Sequence, residues 1–400
     1  MDSRHMTIPI RPTRRPTRRL AAAAVGIAAL VAAAACAPSS GNDQPGALPS
    51  ASVDATFDLD ALVAAAKEEG SVLVYDSTGD IKKVAEAFTA KYGIKAEGVK
   101  SDTQKTAEKL VREKEAGNVA VDLTLFSDGP LLAGELLPRQ VVYTWLPPDL
   151  LKDIPETNRN PLLVLSKANV WVYNPKIYPN GCPVKNVWEL TEDSWRGKVL
   201  LQDPLGKATI VQWLSQTAGH GAAPLADAYQ RHTGKALQTT EKNAGWEWVK
   251  KLAKNKPIIN SEDENIAAAV AAPQQTEGRI GLLSIAKFRD VEGKGYHMAV
   301  CEGLTPWVGF SYSKYVAIAT GTKHPNAAKL FVHFVMTQEG IKHEMEEGGV
   351  SGSTAVPPSD GNPKGLTDWG TQLFAMDPKG LLDDYQNTQP VQDFWRVQHK

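Results

Sequence analysis

Residues 70–92 read GSVLVYDSTGDIKKVAEAFTAKY, a strand, a polar loop and an amphipathic helix in immediate succession. Ser71 to Tyr75 is a short β-branched apolar run, suited to a strand covered on both faces and too short to cross a bilayer. Beyond it Ile81, Val84, Ala85, Phe88 and Tyr92 recur at helical spacing, which gives a helix one apolar face to lay on a sheet. The loop between them, Asp76-Ser77-Thr78-Gly79-Asp80, stands at the carboxyl end of the strand, where α/β sheets bind ligands. Its hydroxyls, and the amides of the helix start, suit an oxygen-rich ligand. Ser77, Thr78 and Asp80 suit helix capping equally well, so both roles stand open.

Outward from this stretch the same alternation continues. Ile94 to Val99 reads as a second strand, Thr103 to Ala116 as a helix and Val121 to Phe126 as a third strand, with Ser127 and Asp128 just past its end. Strands and helices alternating at these intervals imply a parallel sheet with right-handed crossovers. Pro161 to Asn174 is a long apolar segment with a polar break at Ser166 to Asn169, read as the chain crossing between two domains. A second series starts at Lys198 to Gln202, whose strand-end loop carries Gly206, Lys207 and Thr209. Arg279 to Ile285 is a further strand, followed by Ala286-Lys287-Phe288-Arg289, and Tyr315 to Ala319 is a late one. Pro325 to Glu347 is helical, and the tail to Lys400 is loop-rich with short helical pieces.

Residues 1–36 read as an export signal: Arg11, Arg14, Arg15, Arg18 and Arg19, an apolar run from Leu20 to Ala35, then Cys36. The small residues before Cys36 resemble the bacterial lipoprotein signal, in which the cysteine is acylated, although Ala33 stands where that signal usually has leucine. Cleavage after one of the alanines is the alternative, and Arg18-Arg19 leaves both Sec and twin-arginine export open. Residues 37–54 are rich in Pro, Ser, Gly and Ala, a composition that cannot bury a core and so forms a tether.

Four hundred residues at 42% hydrophobic and 22% charged content suffice for two globular domains. Removing residues 1–35, with six arginines and one aspartate, leaves 38 basic and 44 acidic groups, a net charge of -6. That balance argues against nucleic-acid binding, which needs a basic footprint. Gly206-Lys207 is followed by alanine and lacks the upstream glycine of a Walker loop, and no G-x-S-x-G elbow is present. The eight histidines show no metal-ligand pattern, so no catalytic residue, metal ligand or cofactor is assigned.

In order and spacing, VYDSTGD, AFTAKYGIK, VDLTLFSD, VWVYNPK, VLLQDPLGKAT and KYVAIATGTKHPNAAKLFVHFV resemble the bacterial extracellular solute-binding proteins of ABC importers, in the branch that includes the ferric-ion-binding proteins. The resemblance runs from about Gly70 to Pro357. It implies two α/β domains joined by hinge strands, a type II periplasmic-binding-protein fold that closes on a solute. The expected parts are residues 55–163 with 308–350 and residues 164–307 with 351–400. It also implies cleft residues Ser77, Thr78, Asp80, Ser127 and Asp128 from the first domain, and Lys207, Thr209 and Lys287 from the second. Where ferric-binding relatives keep two tyrosines, this chain has Ala286-Lys287. A protonated lysine is no ligand for a hard trivalent cation, so a small anion is expected: an organophosphate, phosphonate or carboxylate. Ferric iron or an iron complex is the alternative, and a sensory receptor or an enzyme on the same fold are further ones. Trp307 and Tyr312 suit stacking on an organic solute or packing at the domain junction. The expected partners are the solute, an ABC permease and, through acylated Cys36, the membrane, with the protein a monomer. Cys182 and Cys301 are the only cysteines left in an exported body, and an oxidising compartment permits their pairing.

Overall fold

The alternation of Val72, Val74 and Asp76 with more accessible neighbours makes Ser71–Asp76 a strand with one fully buried face. Around it the computed structural model, which describes residues 48–346, 348–358 and 369–400, builds a single mixed sheet. Its main strands are β1 (Ser71–Asp76), β2 (Lys95–Lys100), β3 (Leu123–Phe126), β4 (Leu162–Tyr173), β5 (Val199–Gln202), β6 (Ile258–Asn260), β7 (Ile280–Ser284) and β8 (Gly309–Ala319). Their spatial order is β2-β1-β3-β8-β4-β7-β5-β6. The three strands at each end run parallel. The two long strands between them, β4 and β8, are antiparallel to each other and to their outer neighbours.

The helices of eight residues or more in the described chain are α1 (Leu59–Glu69), α2 (Ile81–Tyr92), α3 (Thr103–Glu115), α4 (Ala208–Gly219), α5 (Ala222–Thr233), α6 (Ala244–Lys254), α7 (Asp263–Ala271), α8 (Pro325–Val335), α9 (Gln338–Met345) and α10 (Leu381–Gln398). Val84 and Phe88 of α2 pack with Val72 and Val74 of β1 and with Phe331 and Phe334 of α8 in one core. A second core gathers Trp171, Trp213, Trp248 and Phe310 with α4, α6 and α7. Both long strands serve both sides. Leu162, Val164 and Leu165 of β4 lie in the first core, while Ala168, Val170 and Trp171 lie in the second. Val316 and Ile318 of β8 lie in the first and Phe310 in the second. The strands change sides at their polar residues, Ser166-Lys167 and Ser311 to Lys314, which therefore sit at the midline of the sheet.

The structure adds α5, which has no counterpart in the sequence reading, and alters other elements. The late strand begins at Gly309 rather than Tyr315, because Ser311 to Lys314 pair with Ala168 to Leu165 despite their polarity. The helical region after Pro325 is two helices, the second capped by Thr337, whose hydroxyl accepts from the Gly340 amide. The tail holds the 18-residue α10, with Pro390 inside it. Its apolar residues are sparse because they are divided: Leu381 packs with Leu132 and Leu136, while Val391 and Trp395 pack in the second core. Cys182 and Cys301 form a disulfide with a Cα separation of 5.0 Å, as expected. The export signal, Cys36 and most of the tether lie outside the described residues. Among the described residues no helix is long and apolar enough to cross a membrane.

Candidate ligand site at the strand ends

The carboxyl ends of β1, β2 and β3 on one side and of β5 and β6 on the other face a shared cavity of about 260 Å³. Its floor is the midline of β4 and β8, which supplies Leu165, Lys167, Asn169, Tyr312 and Lys314. One wall carries Ser77, Thr78 and Ser127 from the loops after β1 and β3, with Lys100, Asp102 and Gln104 after β2. The other wall carries Gly206, Lys207 and Thr209 at the start of α4, with Gln202, Glu262 and Asp263.

The β1 loop does not cap α2 with a side chain, since Asp80 at the N-cap makes no capping bond. The hydroxyls turn elsewhere. Ser77 Oγ lies 3.1 Å from Ser127 Oγ and joins the two loops. Thr78 Oγ1 donates to Asp76 Oδ2 at 3.0 Å or to Glu344 Oε1 at 3.2 Å. Beneath Thr78, Lys314 Nζ donates to Asp76 Oδ2 and Glu344 Oε2, each at 2.7 Å, and to Thr78 Oγ1 at 3.0 Å. These three bonds use all three of the ammonium's donors. The Lys314 side chain is only 3% exposed and both carboxylates are fully covered. Burial raises Asp76 to about 7, with the nearby Glu344 adding to the shift and Lys314 opposing it. Burial works against the Lys314 charge, yet Asp76 and Glu344 outweigh it and hold its pKa above the usual lysine value. Burial likewise works against Glu344, but Lys314 and Lys167 prevail and lower its pKa.

Lys167 is held differently. Its Nζ lies 3.8 Å from both Asp80 Oδ2 and Glu344 Oε2, and its side chain is 5% exposed. It makes no hydrogen bond to a described residue, so its donors are left to the cavity it lines. Lys100 and Lys207 also line the cavity, and neither ammonium is hydrogen-bonded or ion-paired to a described residue. Lys207 occupies the N-cap of α4 without a side-chain cap, and Thr209 is buried at the first turn.

The expected site residues therefore divide. Ser77, Thr78, Ser127, Lys207 and Thr209 come together around the cavity. Asp80 stands behind Lys167. Asp128 is buried behind Ser127, where Oδ1 accepts from Gln212 Nε2 at 3.0 Å and from the Leu131 amide at 3.0 Å. Burial pushes its carboxyl up to about 6, against those two bonds. Lys287 does not line the cavity: its ammonium is taken by Glu264, which Arg289 also approaches at 3.8 Å. Trp307 packs edge-on against Phe374, with ring centroids 4.7 Å apart, beside Trp171 and Trp213. Of its two open roles, packing is the one the geometry displays.

Sequence reasoning gives no role to Lys167, Asn169 and Lys314, whereas Tyr312, read for stacking or for packing at the domain junction, lines the cavity. A signal for the first two was present as the polar break in the apolar run from Pro161 to Asn174. Tyr312 and Lys314 precede the apolar YVAIA run, and the polarity of Ser311 to Lys314 hides the strand they belong to.

The fold has solved counterparts. Iron-bound HitA from Pseudomonas aeruginosa is 17% identical, with a TM-score of 0.61 over 82% of this chain and 99% of that one. AfuA from Actinobacillus pleuropneumoniae, with exogenous fructose-6-phosphate bound, is 16% identical, with a TM-score of 0.61 over 82% and 99%. Apo ferric ion-binding protein A from Pasteurella haemolytica is 15% identical, with a TM-score of 0.61 over 82% and 98%. At such identities the likeness establishes the type II periplasmic-binding-protein fold alone. No curated protein matches the sequence. The sequence profile of one family spans residues 83–369, from α2 into the tail, and so takes in the floor and both walls of the cavity apart from the loop with Ser77 and Thr78. By that match the chain belongs to the bacterial extracellular solute-binding proteins, exported proteins that deliver their ligands to ABC permeases.

Proposed function

We propose that this protein captures a small anionic solute, an organophosphate, phosphonate or carboxylate, in the cavity between its strand-end loops and passes it to a membrane permease. The observation that carries the reading is Lys167, a buried ammonium with no hydrogen bond to a described residue, facing a cavity that Lys100 and Lys207 also line. Ser77, Ser127 and Thr209 supply neutral hydroxyls around it, and the amides at the start of α4 add a favourable dipole end. The same lining disfavours bare ferric iron. Lys100, Lys167 and Lys207 repel a trivalent cation, and burial pushes Tyr312, the tyrosine of the lining, up to about 12, away from the phenolate form. Among the described residues no group of three His, Cys, Asp or Glu side chains is placed to hold a metal.

Two domains divided at the midline of β4 and β8 would close on the solute by hinge motion, with no covalent chemistry and as a monomer. Lys167→Met is expected to weaken binding of the anion ten- to a hundredfold, since a charge-assisted hydrogen bond contributes about 1.5–3 kcal/mol. Calorimetric titration of the anion that stabilises the wild type in a thermal-shift screen measures this. Unchanged affinity in Lys167→Met would remove the basis of the reading.

Acylated Cys36 is the proposed anchor that keeps the protein at the membrane, with residues 37–54 as the tether. A lipoprotein carries the several chains that stable anchoring needs. Cys36→Ala is expected to move the protein from the membrane fraction to the soluble one, and full retention after cleavage speaks against lipidation.

A further inference from the structure

The opposite wall of the cavity asks for something an anion alone does not provide. Asp263 is the first residue of α7 and lines the cavity. Its Oδ2 accepts the Ser284 amide at 3.1 Å. Its Oδ1 is buried and has no hydrogen-bond partner among the described residues. A buried carboxylate oxygen is strongly disfavoured unless a donor reaches it. Lys207 and Lys287 lie near enough to influence Asp263 electrostatically but bond neither oxygen, and burial outweighs them in raising its pKa to about 6. At neutral pH the carboxyl is therefore still mostly ionised and acts as an acceptor. Glu262, beside it, adds a second acidic side chain to this wall. The volume points the same way. About 260 Å³ is room for roughly nine waters, well beyond the five heavy atoms of inorganic phosphate.

Building on the anion reading, we infer that the solute is bifunctional: its anionic group meets Lys167, and a hydroxyl or ammonium elsewhere on it donates to Asp263 Oδ1. Asp263 then acts as a specificity residue. It favours hydroxylated or amino-substituted anions over plain ones, because a plain anion leaves this oxygen without a partner or presents it with a repelling charge. The neutral groups of Gln202, Asn169 and Tyr312, which also line the cavity, are polar enough to accommodate such a body.

Two matched pairs of probes test this by calorimetric titration: glycerol 3-phosphate against propyl phosphate, and 3-aminopropylphosphonate against propylphosphonate. The wild type is expected to bind at least one donor-bearing member ten- to a hundredfold more tightly than its plain partner, the range of a hydrogen bond to a charged group. In Asp263→Asn, whose amide oxygen can still accept the Ser284 amide, that preference is expected to fall below threefold. The wild-type comparison stands even if the variant folds poorly. Equal binding within both pairs, or a preference that survives in Asp263→Asn, overturns the assignment of Asp263 and leaves the anion reading intact. Failure of all four anions to bind at millimolar concentration overturns the anion reading, and this inference with it.

Discussion

Lys314→Met is expected to destabilise the protein by about 3–5 kcal/mol at pH 8, the usual consequence of removing one partner from a buried charge cluster. The wild-type ammonium satisfies Asp76 and Glu344 simultaneously, with both carboxylates fully covered and no bulk water to replace it. Without it, two desolvated carboxylates face each other across Thr78, with Lys167 at 3.8 Å from Glu344 left beside them. The dependence on pH follows from protonation. In the variant both carboxyls would have folded-state pKa values above their unfolded ones, so the folded state binds the extra protons. Stability contributed in this way is present at low pH and is lost as pH rises through the folded-state values. The deficit should accordingly be largest at pH 8 and shrink toward pH 5. Urea unfolding at the two pH values measures it. The triple variant Asp76→Asn, Lys314→Met, Glu344→Gln should recover most of the loss, because neutral groups carry no such desolvation cost. A single variant as stable as wild type at pH 8 would show that the cluster is hydrated in solution.

Cys182→Ala with Cys301→Ala is expected to cost about 2–4 kcal/mol, and the chain-entropy argument for a loop of roughly a hundred residues or more allows about 5 kcal/mol. The two cysteines are 119 residues apart, and both are buried in the core that holds Trp171 and Trp213. The bond joins the segment after β4 to the segment before β8, and the Cys301 amide donates to the Trp171 carbonyl at 2.8 Å. Alanine leaves no hydroxyl unsatisfied in that core, so the measured change reports the crosslink rather than a buried polar group. Guanidinium unfolding of the double variant, compared with wild type in the presence and absence of reductant, reads the effect. Neither cysteine lines the cavity, so solute affinity well below the unfolding transition should be unchanged. An unfolding midpoint insensitive to both substitution and reduction would mean that packing alone holds this region.

Features that depend on neighbours along the chain are legible in the residue order. The run SVLVY, the helical spacing from Ile81 to Tyr92 and their repetition fix strands, helices and a parallel sheet, because periodicity reports which face of an element is buried. They also place Ser77, Thr78, Ser127, Lys207 and Thr209 at strand ends, and the structure gathers these five around one cavity. The pairing of the two cysteines was open to inference for a similar reason, being constrained by count and compartment rather than by geometry. The tertiary structure alone decided which charges remain available. Lys167 lies within β4 and Lys287 just past β7, and neither position tells from the sequence whether a carboxylate reaches the ammonium. Lys287 is neutralised by Glu264, 23 positions away, whereas Lys167 is buried at the midline, its charge countered only at 3.8 Å by Asp80 and Glu344. Lys314 is saturated by one carboxylate 238 residues before it and another 30 residues after it. Charge compensation at a buried site is set by distance through space and by exclusion of water, and neither quantity is carried by the local order of residues.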